Sequence, residues 1–298
     1  MPPAGGFLRR RGPPVTPPRT VGASLMNGVE TLVLFAAALL LGGAFTGIVA
    51  GLLGVGGGIV IVPVLYYILP FFGVDEGLRM HLAVGTSLAT IIPTSIASAR
   101  AHNRRGAVDF DLLKRWAPAI IVGVVGGALA AGPLKGQVLS AIFAAVALVV
   151  ALNMARGPDH LRLGTQLPGR GGLSALGLAV GFLSTLMGIG GGTLSVPLLT
   201  LYGYPIRRAV GTAAAIGLII AIPGAAGFWW AGLGVAGRPP FSLGYINLLA
   251  VVAIVPTTVL FSPLGARLAH SIDTLWLRRA FALFLALTAG RMIVGLWE

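Results

Sequence analysis

The chain has no cysteine, so disulfides, thiolate metal sites and iron–sulfur clusters are excluded at the outset. Charge is almost as scarce. Only 10% of the 298 residues are Asp, Glu, Lys or Arg, against roughly 25% in a soluble domain, and so few ions could not cover a globular surface in water. Also missing are a Gly-x-Ser-x-Gly elbow and a Gly-Lys-Ser/Thr ending to any glycine-rich run. These absences remove the common signatures of a serine hydrolase and of a phosphate loop.

What is present is apolar. Hydrophobic residues make up 56% of the chain and the mean hydropathy is +0.92. Stretches long enough to span a bilayer core of ~30 Å recur at 30–50, 55–72, 80–99, 114–132, 136–155, 172–187, 190–204, 208–231, 244–263 and 275–296. An all-α membrane protein of about ten transmembrane helices is expected, with no soluble catalytic domain. The second, sixth and seventh stretches are short, which points to broken or partly re-entrant helices. Residues 1–28, rich in Pro, Gly and Arg, read as a disordered tail. Met26 is a candidate start just ahead of the first span.

An internal repeat organises the rest. Gly47-Ile-Val-Ala-Gly-Leu-Leu-Gly-Val-Gly-Gly-Gly-Ile-Val-Ile-Val-Pro63 aligns without a gap on Gly181-Phe-Leu-Ser-Thr-Leu-Met-Gly-Ile-Gly-Gly-Gly-Thr-Leu-Ser-Val-Pro197. Val84-Gly85-Thr86-Ser87 then answers Val210-Gly211-Thr212-Ala213, and Phe143-Ala144 answers Phe281-Ala282. Two five-helix units follow, at 29–156 and 172–298, joined by a cytoplasmic linker at 157–171. An odd number of crossings inverts the second unit relative to the first, and a rocking of the two halves would alternate access.

The net charge of +13 sits in short clusters between apolar runs, the pattern of retained loops and not of a nucleic-acid surface. Bases gather in alternate loops at 100–115, 156–170, 207–208 and 267–279, while the opposite set holds only Arg79, Lys135, Arg238 and Arg291. This places the basic loops in the cytoplasm and both termini outside, although Arg9, Arg10, Arg11 and Arg19 in the tail point the other way.

Each repeat carries a glycine run, Gly54, Gly56, Gly57 and Gly58 in the first and Gly188, Gly190, Gly191 and Gly192 in the second. A glycine inside a helix costs about 1 kcal/mol relative to alanine. Either close helix crossing offsets that, or the runs are unwound elbows whose free N–H groups cradle an anion. Thr86, Ser87, Thr90, Thr94 and Ser98 share one face of the third segment, either bonding neighbouring helices or lining a pathway. Thr212 is the second-half counterpart of Thr86. Pro63, Pro93, Pro197 and Pro223 are candidate hinges.

Three cationic or titratable side chains remain. Arg79 and His81 begin the third segment, either as an interfacial cap or as an anion-attracting and proton-carrying pair. Arg291, deep in the last segment, either snorkels or faces an anion path. The 100–115 loop, with His102, Asp109 and Asp111, is a solvated surface or a collector of anions.

The Gly-Val-Gly-Gly-Gly-x5-Pro run at 54–63 and Gly-Ile-Gly-Gly-Gly-x5-Pro at 188–197, each followed by a Val-Gly-Thr segment, resemble the sulfite exporter TauE/SafE family of bacterial membrane transporters. The resemblance spans nearly the whole chain after the tail. It implies an inner-membrane exporter of sulfite, an organosulfonate or a carboxylate, driven by the proton or voltage gradient without ATP and without a cofactor or metal. Its expected partners are a small anion, the lipid bilayer and coupled protons. Ala213 departs from the pattern, since it lacks the hydroxyl of Ser87.

Overall fold

The computed structural model describes residues 21–53, 57–156, 164, 166–271 and 274–296. Among these, ten helices follow in order: α1 (Val21–Leu53), α2 (Gly58–Ile68), α3 (Glu76–Asn103), α4 (Phe110–Ala131), α5 (Gly136–Arg156), α6 (Arg170–Met187), α7 (Gly191–Leu201), α8 (Ile206–Ala231), α9 (Leu248–Ser271) and α10 (Thr274–Val294). A 3-10 turn, Leu69–Phe72, extends α2. A two-stranded antiparallel hairpin, β1 (Ser242–Leu243) and β2 (Ile246–Asn247), leads into α9.

The ten apolar stretches thus return as ten helices, but seven of them, α1, α3 to α6, α8 and α9, are long and apolar enough to cross a membrane. The shortfall from ten crossings has plain causes. Helices α2 and α7 have 11 residues each, roughly 16 Å at 1.5 Å per residue, about half a bilayer core. Helix α10 carries Arg278, Arg279 and Arg291 within its 21 residues. The start also differs from expectation, because α1 begins at Val21, ahead of its apolar run. Outward faces present Leu41, Leu129, Val252 and Leu260, each more than two-thirds exposed. In a membrane these positions meet lipid, where backbone polarity must be satisfied inside each helix.

Inside, the helices associate in pairs: α1 along α9, α4 along α6, α3 along α8 and α5 along α10. Short α2 lies on α3, and α7 lies on α8. Exchanging α1–α5 for α6–α10 returns the same set of pairs. The correspondence reaches single residues. A Cβ added at Gly47 would sit 2.7 Å from the Thr258 carbonyl oxygen, and one at Gly181 would collide with the carbonyl of Ile120. One turn earlier, Gly43 abuts Ile254 and Thr257, as Gly177 abuts Trp116 and Ala119. Backbones that touch this closely require glycine, since membrane helices associate by contact and not by a hydrophobic force.

The two Val-Gly-Thr motifs are matched in the same way. Gly85 abuts the Tyr245 carbonyl while Thr86 Oγ1 accepts from the Asn247 N–H at 2.9 Å. Gly211 abuts the Ala107 carbonyl while Thr212 Oγ1 accepts from the Asp109 N–H, also at 2.9 Å. Asn247 and Asp109 each cap the helix that follows. Asn247 Oδ1 accepts from the Ala250 N–H at 2.8 Å, and Asp109 Oδ1 accepts from the N–H groups of Asp111 and Leu112 at 3.1 and 3.0 Å. Each motif therefore holds the start of a helix from the other half, satisfying orphan donors at its N-terminus.

Candidate functional site

The second glycine run is a true helix break. Gly188 closes α6 in the left-handed conformation (φ 66°), and its N–H and that of Ile189 fall back on the carbonyls of Thr185 and Ser184. Only glycine takes that geometry without strain. Gly190 is then extended (φ −76°, ψ 174°), and α7 begins at Gly191. The first N–H groups of α7 have no carbonyl one turn back and stand at the positive end of the helix dipole. In the first run, Gly57 precedes α2 and its carbonyl accepts from Val60 and Ile61. Gly54 and Gly56 lie outside the described residues.

The two runs touch. A Cβ at Gly58 would lie 2.9 Å from the Gly188 carbonyl oxygen and 2.9 Å from Ile189 Cα. The same carbonyl accepts from Ser87 Oγ at 2.6 Å. Gly188 in turn leaves 2.7 Å between a hypothetical Cβ and Val84 Cα, and Gly191 leaves 2.8 Å to the Ala213 carbonyl oxygen. Gly58, Gly188 and Gly191 thus permit backbone contact, while Gly57, Gly190, Gly191 and Gly192 line a cavity of about 470 Å³.

The cavity is walled by Thr94, Ser95, Ser98 and His102 of α3, by Ala213, Ala214 and Gly217 of α8, by Thr258 and Ser262 of α9, and by Ala50 of α1. It runs from the bends toward Ala101, His102 and Val210, the end at which α3 finishes and α8 starts. That is the face of the basic 100–115 loop.

Other nominated residues stand elsewhere. Thr86, Ser87, Thr90 and Thr212 are buried and are not among the cavity walls. The Thr90 hydroxyl donates to the Ser87 carbonyl at 2.7 Å. His81, 4% exposed, sets Nε2 3.1 Å from the Ala131 carbonyl and Nδ1 3.3 Å from that of Gly77, tying α3 to the end of α4. Arg79 Nε donates to the Val74 carbonyl at 3.0 Å. The Arg291 guanidinium lies 5.6 Å from the centroid of the Tyr67 ring, a cation–π distance. Pro63, Pro93, Pro197 and Pro223 all lie inside helices, α2, α3, α7 and α8 respectively.

Of the α3 face read from the sequence, Thr94 and Ser98 line the cavity while Thr86, Ser87 and Thr90 do not. Thr94, Ser98 and His102 follow one another every fourth residue, so the polar face continues toward the helix end, and Thr258 and Ser262 repeat that spacing on α9. Ser184, Thr193 and Ser195 around the second bend are buried with hydroxyls that have no hydrogen-bond partner among the described residues.

A polar joint closes the same face beside the cavity. Tyr204, between α7 and α8, donates its hydroxyl to Asp109 Oδ2, and Arg208 stands 3.9 Å from that oxygen. Burial pushes the Asp109 carboxyl up, but the Leu112 N–H, the Tyr204 hydroxyl, the Arg208 guanidinium and the Asp111 N–H outweigh it and hold the group below the usual carboxylate value. Burial, then donation to that carboxylate, pushes the Tyr204 phenol up to about 12. The joint is therefore a phenol donating to a carboxylate at neutral pH.

A family model described as sulfite exporter TauE/SafE matches residues 39–292. A probable membrane transporter protein of Haemophilus influenzae is 38% identical over 259 residues, covering 86% of this chain and 97% of that protein. A probable membrane transporter protein of Methanocaldococcus jannaschii is 27% identical over 248 residues, covering 80% of this chain and 88% of its own length. Probable membrane transporter protein YunE of Bacillus subtilis is 27% identical over 252 residues, covering 78% and 88%. No solved structure matches the chain. Because the matched span runs from α1 to α10 and takes in both bends, both Val-Gly-Thr motifs and the cavity, the chain belongs to the sulfite exporter TauE/SafE family.

Proposed function

We propose that this membrane transporter exports a small anion, sulfite or an organosulfonate, by alternating access without ATP. It is a transporter and not an enzyme. The observation that carries the reading is the cavity lined by Gly57 of the first glycine run and by Gly190, Gly191 and Gly192 of the second, whose described walls contain no acidic side chain. A volume of about 470 Å³ falls in the usual ~300–1,000 Å³ range of small-ligand sites. At ~30 Å³ per water it holds roughly fifteen waters, or a small oxyanion with part of its hydration shell. Backbone N–H groups at the start of α7 and hydroxyls of Thr94, Ser95 and Ser98 offer donors for oxyanion oxygens, and no carboxylate repels them.

Alternating access needs a second, outward pathway, and the repeat supplies the related positions for it. The positions paired with the walls Val210, Ala213, Ala214 and Thr258 are Val84, Ser87, Leu88 and Ile120, each with no exposure at all. A cavity on one side of the repeat and packed residues at the related positions support two inverted five-helix units that exchange between two states. The basic face is the cytoplasmic one by its retained Lys and Arg. That orientation puts the open mouth inside a bacterial inner membrane, both termini outside, and lets a proton or voltage gradient drive release.

Counterflow of labelled sulfite in proteoliposomes of the purified protein, with sulfonates and carboxylates as competitors, tests this. Saturable exchange inhibited by sulfonates supports it. Exchange inhibited only by carboxylates would make the protein a carboxylate permease, and no exchange of any anion would make it a non-transporting scaffold.

A further inference from the structure

We infer that the imidazole of His102 is the group that receives the anion at the mouth of the cavity, binding it when protonated and releasing it when neutral. The inference rests on the transport reading above and adds an affinity-setting residue to it. Among the described walls of the cavity, His102 is the one titratable side chain. Thr94, Ser98 and His102 follow every fourth residue on one face of α3, so eight residues at 1.5 Å place the imidazole about 12 Å beyond Thr94 along that helix. The inner end of this stripe is fixed at the second bend, because a Cβ at Gly190 would lie 3.5 Å from Ile91 Cγ2, one turn before Thr94 and Ser95. Hydroxyls lead inward from the ring to the amides of α7.

Arg105, in the turn after α3, is a second cation beside the ring: it draws an anion in, and the bound anion offsets its repulsion of an imidazolium. Across the cavity α8 offers Val210 and Ala214, and α9 offers Ser262 and Pro263, none of them ionisable. Of the two carboxylates of the same loop, Asp109 is already held by Tyr204, Arg208 and the N–H groups of Asp111 and Leu112, and Asp111, in the first turn of α4, is not a wall of the cavity. No free carboxylate among the described walls competes with an incoming anion for the imidazolium.

His81 is a poorer candidate. Both its ring nitrogens face backbone carbonyls, its ring packs 4.8 Å from that of Tyr245, and it is not a wall of the cavity. The repeat adds a further distinction. The position that pairs with His102 through the two Val-Gly-Thr motifs is Phe228, 1% exposed, so a titratable group stands at only one of the two related places.

The test measures sulfite counterflow in proteoliposomes at pH 5.5 and pH 8 on the basic face, with wild type, His102→Gln, His102→Arg and His81→Gln. The readout is the ratio of variant to wild-type KM at each pH, which cancels the titration of sulfite itself. For His102→Gln a ratio of about ten or more at pH 5.5, falling to about one at pH 8, is expected from loss of a charge-assisted hydrogen bond. His102→Arg, a permanent cation, should keep KM low at both values, and its transport also shows that the altered helix folds. His81→Gln should leave the ratio independent of pH. A ratio near one for His102→Gln at both pH values, or an equal loss at both, overturns the assignment while leaving transport intact. Absence of counterflow in wild type would instead sink the transport reading.

Discussion

Two alanine substitutions four or fewer residues from each helix break separate the glycines that carry contact from those that carry space. At Gly58 the added methyl would lie 2.9 Å from the Gly188 carbonyl oxygen, from Ile189 Cα and from Ile91 Cδ1. Ordinary carbon contacts begin near 3.5 Å, so two backbones must part by about 0.6 Å or more. Overpacking of this kind costs about 1–3 kcal/mol. It also moves the carbonyl that Ser87 holds at 2.6 Å. Gly190 is the contrasting case. Its backbone is extended (φ −76°, ψ 174°), a geometry alanine adopts freely, and its nearest neighbour would be Ile91 Cγ2 at 3.5 Å. Gly190→Ala should therefore melt within a degree or two of wild type while raising the KM for sulfite, because its methyl occupies the cavity floor. Gly58→Ala should melt several degrees lower and lose most of its flux. Thermal unfolding in detergent and counterflow in proteoliposomes read the two effects separately. A Gly58→Ala protein as stable as wild type would refute the contact between the bends. Wild-type KM and flux in Gly190→Ala would refute the cavity as the binding site.

Ser87→Ala should lower stability by about 0.6 kcal/mol and by no more than about 1.7 kcal/mol, the mean and maximum for hydrogen bonds between membrane helices, with KM unchanged because Ser87 does not line the cavity; a raised KM with intact stability would make it a substrate ligand. The Asp109 carboxyl is held below its usual value, so its contribution is present at neutral pH and lost as pH falls through that lowered value. Asp109→Asn should therefore destabilise at pH 7 and remove that acid-side loss, whereas Arg208→Ala, breaking a pair in which Arg208 is 55% exposed, should change little. Because the chain has no cysteine, Ser98→Cys can be probed cleanly. It should react with an impermeant thiol reagent applied to the basic face and be protected by sulfite, while Leu88→Cys should react only from the opposite face and only during turnover.

Helix positions were legible because apolar length and turn residues act locally. Each expected stretch falls on a helix, and of the three short ones the second and seventh are the 11-residue half-helices, while the sixth is an unbroken helix of 18 residues, long and apolar enough to cross. The glycine repeat was legible too, but its meaning was not, since a lone glycine does not reveal which backbone approaches it. Gly58 faces Gly188 from the other half, and that juxtaposition is tertiary. The hydroxyls of α3 were read as one face, yet Thr86 and Ser87 are taken up by Asn247 and Gly188. Only the following turns, with Ser98 and His102, reach open space. Spacing could identify that stripe but could not show where along it the neighbouring helices stop. The joint of Asp109 with Tyr204 and Thr212 was similarly hidden, because its partners are distant in sequence and only the fold brings their loops together.

The helix pairing bears directly on which bodies move. A rocking of residues 29–156 against 172–298 would have to part α1 from α9 and α4 from α6, the pairs in which Gly43, Gly47, Gly177 and Gly181 press against backbone. Those contacts have no slack, whereas the cavity does. Its walls fall into two groups, Ala50, Thr258 and Ser262 from α1 and α9 on one side and residues of α3, α7 and α8 on the other. The positions that the repeat pairs with those walls lie on α4 and α3, where Ile120, Leu88 and Val84 have no exposure. The economical motion leaves α3 and α8 as a central pair and swings the α1–α9 and α4–α6 arms against it in turn, so that each arm is built from both halves. A cross-link within an arm, between positions 43 and 257, should then leave counterflow running, while one between arm and centre, joining positions 98 and 262, should stop it. The reverse outcome would restore the halves as the moving units.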